Sequence, residues 1–223
     1  VDTSTTGPQA ARAAAAELAG HGVDFLDAPV TGAPARAEAG TLTVMAGGEI
    51  ERLREARPVL STFASRVLHM GAIGNGQIAK AMNNCLYNVN CAAMAEMLPL
   101  AQKAGLPLEA FAEVVSSGTG QSFGFDQWTP RVLAREFEAP KYGYPMGAAF
   151  KDLETVGIVS QEQGVATPPV VAAARATYER ALAMGFEGEH KGAMVKVWER
   201  ELGVTCTSST SAAEVSALKR GKR

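Results

Sequence analysis

GAIGNGQIAKAMNN, residues 71–84, decides how the chain is divided, because it sits where the pattern of the sequence changes. Gly71, Gly74 and Gly76 have the spacing G-x-x-G-x-G. A dinucleotide-binding turn uses G-x-G-x-x-G between a strand and a helix, with an acidic residue about 20 positions later for the ribose. Reversing the gaps changes which turn positions lack a side chain, so the close approach to a pyrophosphate is lost. No true G-x-G-x-x-G occurs elsewhere in the chain. The stretch therefore reads as a turn that opens a helix. Lys80 falls on its first or second turn, and Asn83 and Asn84 lie three and four residues further on, near the same face.

Upstream, the residues alternate between helical and strand patterns. VDTSTTGPQ (residues 1–9) reads as a strand end, a Ser/Thr turn and a helix start, followed by the alanine-rich helix AARAAAAELAG. VDFLDAPV (residues 23–30) is expected to be a buried strand ended by Pro29. A loop with Gly32 and Pro34 leads to the strand TLTVMAGG (residues 41–48), a charged helix over 49–63 and the strand RVLHMG (residues 66–71). Short apolar strands alternating with helices predict an α/β layer with some parallel pairing.

Downstream, the periodicity becomes helical. Met82, Leu86, Val89, Ala93, Met97 and Leu100 fit one broad stripe, with Pro99 expected to kink or break the helix. A helix is predicted after Pro107 up to Gly118, an aromatic, Pro- and Gly-rich loop over 119–147, and further helices near 148–163, 170–184 and 192–201. The expected fold class is α/β plus all-α, divided as 1–70, 71–203 and a flexible tail 204–223.

The 223 residues are 47% hydrophobic, and 21 Lys and Arg balance 23 Asp and Glu to a net charge of −2. That balance offers no electrostatic argument for nucleic acid or an anionic membrane. Cys85, Cys91 and Cys206 lack zinc-site spacing, and an odd count argues against a disulfide framework; Cys85 and Cys91 read as small core residues. With no apolar run long enough to span a bilayer and no signal-peptide pattern at the start, a cytoplasmic location is expected.

Three polar sets can carry chemistry, and each also has a structural reading. An ammonium at Lys80 beside the amides of Asn83 and Asn84 can hold a hydroxyl and a carboxylate and pass a proton. Spacing alone favours a snorkelling lysine with locally bonded asparagines. Thr31 and Gly32 follow a strand, where a hydroxyl and an open backbone can meet a substrate oxygen, or form an ordinary turn. Lys151 and Asp152 open a helical stretch as a functional pair, a solvated pair or a cap. The aromatic residues Phe123, Phe125, Trp128, Tyr142 and Tyr144 either shape a pocket or fill the helical core. His190 is expected to have a surface or capping role, and neither His21 nor His69 has a triad or metal arrangement.

VDTSTTGP, DAPVTGAPARAEAGTLTVMAGG, GAIGNGQIAKAMNN and AAFKDL together, in this order, resemble the β-hydroxyacid dehydrogenases, and the likeness covers nearly all of residues 1–200. The resemblance implies a Rossmann-like domain joined by a long helix to a 6-phosphogluconate dehydrogenase-like helical domain, with NAD or NADP as cofactor. It implies Lys80 as the catalytic acid/base, Thr31 and Gly32 on the substrate carboxylate, and Asn84, with Asn83 beside it, orienting the hydroxyl. It places Ser4 and Thr5 against the nicotinamide end of the cofactor, and Lys151 with Asp152 near cofactor and cleft. The implied partners are a small hydroxy acid or semialdehyde and a second copy of the chain, as a homodimer or homotetramer. The imine reductases share the architecture, but generally place another residue at the position of Lys80.

The family's opening βαβ units, with their phosphate-binding glycines, have no counterpart in these residues. The expectation is a fragment of a longer protein or a degenerate gene product. The competing reading is a catalytically inactive helical dimerisation or binding module.

Overall fold

A computed structural model describes residues 1–139 and 144–208. The chain forms two compact units, Val1–Asn84 with Thr155–Val165, and Cys85–Glu154 with the residues from Ala166 onward.

The first unit holds a three-stranded sheet in the order β1 (Val30–Thr31), β2 (Leu42–Ala46) and β3 (Ala64–His69). Helix α1 (Pro8–Ala19) starts with proline at its first position, where the missing N–H costs nothing. Helix α2 (Ala33–Glu38) occupies what the sequence suggests is a loop. Helix α3 (Ile50–Leu60) connects β2 to β3, which pair in parallel, so this stretch is one βαβ unit. Leu26, Ala28, Val44, Ala46, Leu53, Leu60, Ala64 and Val67 form its core.

The strand expected over 23–30 is shorter than its apolar content suggests. β1 and β2 pair antiparallel through Val30↔Val44 and Thr31↔Thr43, and an isolated bridge at Asp27↔Gly47 keeps the same register. Pro29 lies between these pairings and has no N–H to donate, so the ladder is interrupted there. On its other side the segment meets Asp2 in a parallel bridge, which accounts for the strand-like reading of the first residues.

Helix α4 (Asn75–Lys103) runs 29 residues, about 44 Å at 1.5 Å per residue. It continues through Pro99, so of the kink or break expected there, the break does not occur. Residues 75–84 belong to the first unit and the rest to the second.

The second unit adds α5 (Leu108–Ser117), α6 (Phe123–Leu133), α7 (Met146–Glu162, up to Glu154), α8 (Pro169–Ala183), a 3₁₀ turn (Lys191–Met194) and α9 (Val195–Leu202). The broad apolar stripe read at helical spacing on α4 is largely exposed. Leu86 is 69% accessible, and Met97 and Leu100 are also open, while Cys91, Ala92, Met94, Ala95, Leu98 and Ala101 are buried. Small residues on the buried face permit close helix packing and leave the larger side chains outside.

The stretch 119–147 is in part helical rather than a loop, since α6 covers residues 123–133. Phe125 and Trp128 are buried, whereas Phe123 and Tyr144 are exposed. Tyr142 lies outside the described residues. All three cysteines are buried and free. In the segment expected to be a flexible tail, Cys206 is buried and its N–H bonds Glu199 Oε1 at 2.7 Å; residues 209–223 lie outside the description.

Candidate active site

In the first unit, a buried carboxylate organises the opening stretch. Asp27 is completely buried, with Oδ1 accepting from the Gly74 N–H at 2.7 Å and Oδ2 from the Gln77 N–H at 2.9 Å. These donors stand at the start of α4, where backbone N–H groups have no intrahelical partner and a negative charge is favoured. Burial raises the Asp27 pKa above its ordinary value, against the lowering effect of the bonds from Gly74 and Gln77. Gly76 must be glycine: a Cβ there would stand 2.3 Å from the Met45 carbonyl oxygen and 2.8 Å from the Asp27 carboxylate. Its backbone is packed against Met45 and Asp27, and Gly74 takes φ +89°.

Lys80 emerges on the second turn of α4, half-buried, and its Nζ donates to the Val30 carbonyl at 2.7 Å. Val30 precedes Thr31, so the ammonium is held at the end of β1. Asn83 Nδ2 donates to Thr31 Oγ1 at 3.4 Å and to Asn84 Oδ1 at 3.3 Å. Gly32 follows with φ +144°, and a Cβ there would stand 2.8 Å from Arg36 Cβ and 2.9 Å from Leu42 Cδ2. Lys80, Asn83, Asn84, Thr31 and Gly32 are thus assembled by the meeting of α4 with the end of β1. An ammonium, a hydroxyl and two carboxamides in one place can bind a carboxylate and a hydroxyl and exchange a proton.

Ser4 and Thr5 lie in the turn before α1. The Ser4 N–H donates to Asp2 Oδ1 at 2.9 Å, and the Ser4 carbonyl accepts from Gln77 Nε2 at 2.8 Å. This turn is therefore tied to the same helix that carries Lys80.

Lys151 and Asp152 stand on α7 in the second unit, Lys151 exposed and Asp152 buried. Asp152 adds its charge to burial in raising the Cys85 thiol pKa, burial being the larger cause.

Two buried polar features have little signature in the sequence. Asp27 lies in a run that reads as a buried strand, and a carboxylate within such a run is the only signal it offers. The second is a polar cluster in the helical unit. The buried Lys191 donates to Asn88 Oδ1 at 2.6 Å and lies 3.9 Å from the centre of the Tyr87 ring. Asn88 Nδ2 donates to the Ala149 carbonyl at 3.2 Å. His190 is fully buried rather than at the surface, and it does cap: Nδ1 accepts from the Gly192 N–H, so the ring proton on Nε2 donates to the Glu136 carbonyl. Its ring stacks on Trp128 at 4.3 Å between centroids, and burial lowers its pKa.

Among the described residues, no group of three or more His, Cys, Asp or Glu could hold a metal ion, and no helix is long and apolar enough to cross a membrane.

Two family models match. Residues 1–71 match the NAD-binding domain of 6-phosphogluconate dehydrogenase, and residues 74–198 the NAD-binding domain of NADP-dependent 3-hydroxyisobutyrate dehydrogenase. The chain is 34% identical over 206 residues to 2-(hydroxymethyl)glutarate dehydrogenase of Eubacterium barkeri, covering 92% of this chain and 67% of that one. The solved 3-hydroxyisobutyrate dehydrogenase of Salmonella typhimurium superposes with a TM-score of 0.80 at 29% identity, over 87% of this chain and 67% of that one. That of Mycobacterium tuberculosis, solved with L-serine, gives 0.76 at 32% identity, over 87% and 68%. The chain spans about two thirds of the length of these relatives. With both halves matched in order by the family's models, the chain belongs to the β-hydroxyacid dehydrogenases, a family of NAD(P)-dependent oxidoreductases.

Proposed function

We propose that this chain carries the acid/base and substrate-binding part of an NAD(P)-dependent dehydrogenase acting on small β-hydroxy acids or their semialdehydes. The observation that carries the reading is the placement of Lys80, held by the Val30 carbonyl beside Thr31 and Gly32 with Asn83 on the Thr31 hydroxyl. The compounds in the relatives' names and L-serine share a hydroxymethyl group and a carboxylate on one carbon, so a 2-substituted 3-hydroxypropanoate is the substrate class.

The Ser4–Thr5 turn, with Ser4 exposed and its backbone already bonded, fits the polar nicotinamide end of a dinucleotide. When bound, NAD(P) supplies the hydride donor or acceptor. The chain's own residues do the rest. Thr31 and the Gly32 backbone grip the carboxylate. Asn84, with Asn83 beside it, orients the hydroxyl. Lys80 as free amine accepts the hydroxyl proton on oxidation, and as ammonium it donates a proton to the carbonyl oxygen on reduction. Lys151 and Asp152 serve the cofactor side.

Substituting Lys80 by Ala or Met in the full-length protein should lower kcat about 10²–10⁴-fold while leaving cofactor binding intact. Oxidation retained in K80A at saturating cofactor sinks the mechanism.

The exposed apolar face of α4 supports a second element of the proposal, that two copies of the chain pair through it as a homodimer, alone or within a homotetramer. It equally favours the competing reading of an inactive dimerisation module. Calorimetry with NAD and NADP separates the two, since such a module binds neither.

A further inference from the structure

Gln77 is one of the most deeply buried polar side chains of the first unit, 1% accessible, and the proposed chemistry does not use it. Its carboxamide is spent on one short turn. Oε1 accepts from the Thr6 N–H at 3.1 Å and the Gly7 N–H at 3.2 Å, while Nε2 donates to the Ser4 carbonyl at 2.8 Å. Two backbone donors face one end of the amide and a carbonyl faces the other, so only one orientation of the group satisfies all three. The Gln77 N–H is in turn held by Asp27 at 2.9 Å. Helix α1 has no side-chain cap of its own, and the Gly7 N–H at its N-cap is satisfied by this distant amide.

A buried carboxamide is tolerated only when its bonds are made, and these brace an exposed turn rather than the core. The turn carries Ser4 and Thr5, and Gln77 stands three residues before Lys80 on α4.

We propose that Gln77 is a positioning residue for the nicotinamide end of the site, fixing the Ser4–Thr5 turn to the same helix that carries the proton-transferring Lys80. The inference rests on the dehydrogenase reading above. Through Gln77, the surface that meets the nicotinamide and the group that moves the proton share one rigid support. Geometry of this kind governs hydride transfer, where small misplacements are expensive. Glutamine suits the position because its amide both donates and accepts. An ionised glutamate would face the Ser4 carbonyl with a second acceptor, and methionine would strand the Thr6 and Gly7 amides.

The test compares wild-type, Q77M and Q77E full-length proteins. Binding of NAD(P)H, followed by nicotinamide fluorescence, is set against binding of ADP-ribose, which lacks the nicotinamide. In Q77M, NAD(P)H should bind about 5–20-fold more weakly and kcat should fall about 10–100-fold, with ADP-ribose affinity within about twofold of wild type. In Q77E, NAD(P)H affinity relative to wild type should recover as pH falls and the glutamate gains a proton to donate to the Ser4 carbonyl. Equal losses for NAD(P)H and ADP-ribose mean general damage to the unit and overturn the inference, as does an NAD(P)H affinity unchanged in Q77M. A Q77E defect flat with pH also overturns it. Wild-type protein that binds neither ligand removes the dehydrogenase reading, and the inference with it.

Discussion

Replacing Asp27 by alanine tests whether the buried carboxylate anchors α4. In the folded protein it satisfies two amide donors, those of Gly74 and Gln77, at 2.7 and 2.9 Å. Alanine strands both, and a buried unsatisfied donor costs about 1–3 kcal/mol, so the expected loss is about 2–6 kcal/mol. For a protein of this size, at about 2–4 °C per kcal/mol, that lowers Tm by about 4–24 °C. Asparagine keeps one acceptor and turns a donor toward the other amide, so D27N should lose about half as much. Circular dichroism melts give the ranking, and hydrogen exchange of peptides covering residues 71–80 locates the damage at Gly74 and Gln77. A D27A protein melting within about 1 °C of wild type, with those amides exchanging at wild-type rates, refutes the reasoning. The pH dependence has a definite sign. Burial raises the Asp27 pKa above the ordinary 3.8, so the folded state holds this proton more tightly than the unfolded chain. The stability difference between wild type and D27N is therefore largest in acid, and it declines as pH rises from 3.8 through the raised folded value.

Burial lowers the His190 pKa below 6.5, with Arg131 and Lys196 also lowering it and Glu136 and Glu189 acting in the opposite direction. The unfolded chain takes up the proton first, so this contribution to stability is complete above pH 6.5 and is lost as pH falls through the lowered folded value. Urea unfolding followed by Trp fluorescence should show wild type exceeding H190Q by more at about pH 7.5 than at about pH 5.5; a constant difference contradicts the assignment. For the apolar face of α4, L86E should shift the protein toward monomer in sedimentation while its Tm at low concentration stays within about 2 °C, because Leu86 is 69% exposed. A dimer that survives L86E combined with M97E excludes this face.

Local chemistry makes several elements legible in the sequence. Pro8, Gly7 and Gly20 bound α1, and Pro107 and Gly118 bound α5, because fixed φ and missing side chains act on the backbone wherever the chain goes. The β2–α3–β3 unit follows from two short apolar runs separated by a charged helix. The stretch 119–147 is harder to read: its Pro, Gly and aromatic content masks α6, whose Ser122 cap and buried Phe125 and Trp128 become evident only once packed.

The candidate site divides in the same way. Lys80, Asn83 and Asn84 follow from helical spacing, and Thr31 and Gly32 from their place after a strand. That Lys80 reaches the Val30 carbonyl, or that Gln77 reaches back to the Ser4–Gly7 turn across some seventy residues, is a long-range fact that no local pattern contains. Asp27 shows the limit most plainly. Its partners are backbone amides, which every residue but proline possesses, so nothing in their identity announces the bond.

By itself the sequence determined where several of the helices, α1 and α5 among them, start and stop, which segments alternate as α/β, and which polar residues share a turn of α4. Tertiary structure alone decided the phase of that helix. Apolar residues occur around much of its circumference, so the 3.6-residue period admits more than one inward face. Close packing chose the face of alanines and cysteines, left Leu86, Met97 and Leu100 outside, and set Lys80 against the end of β1.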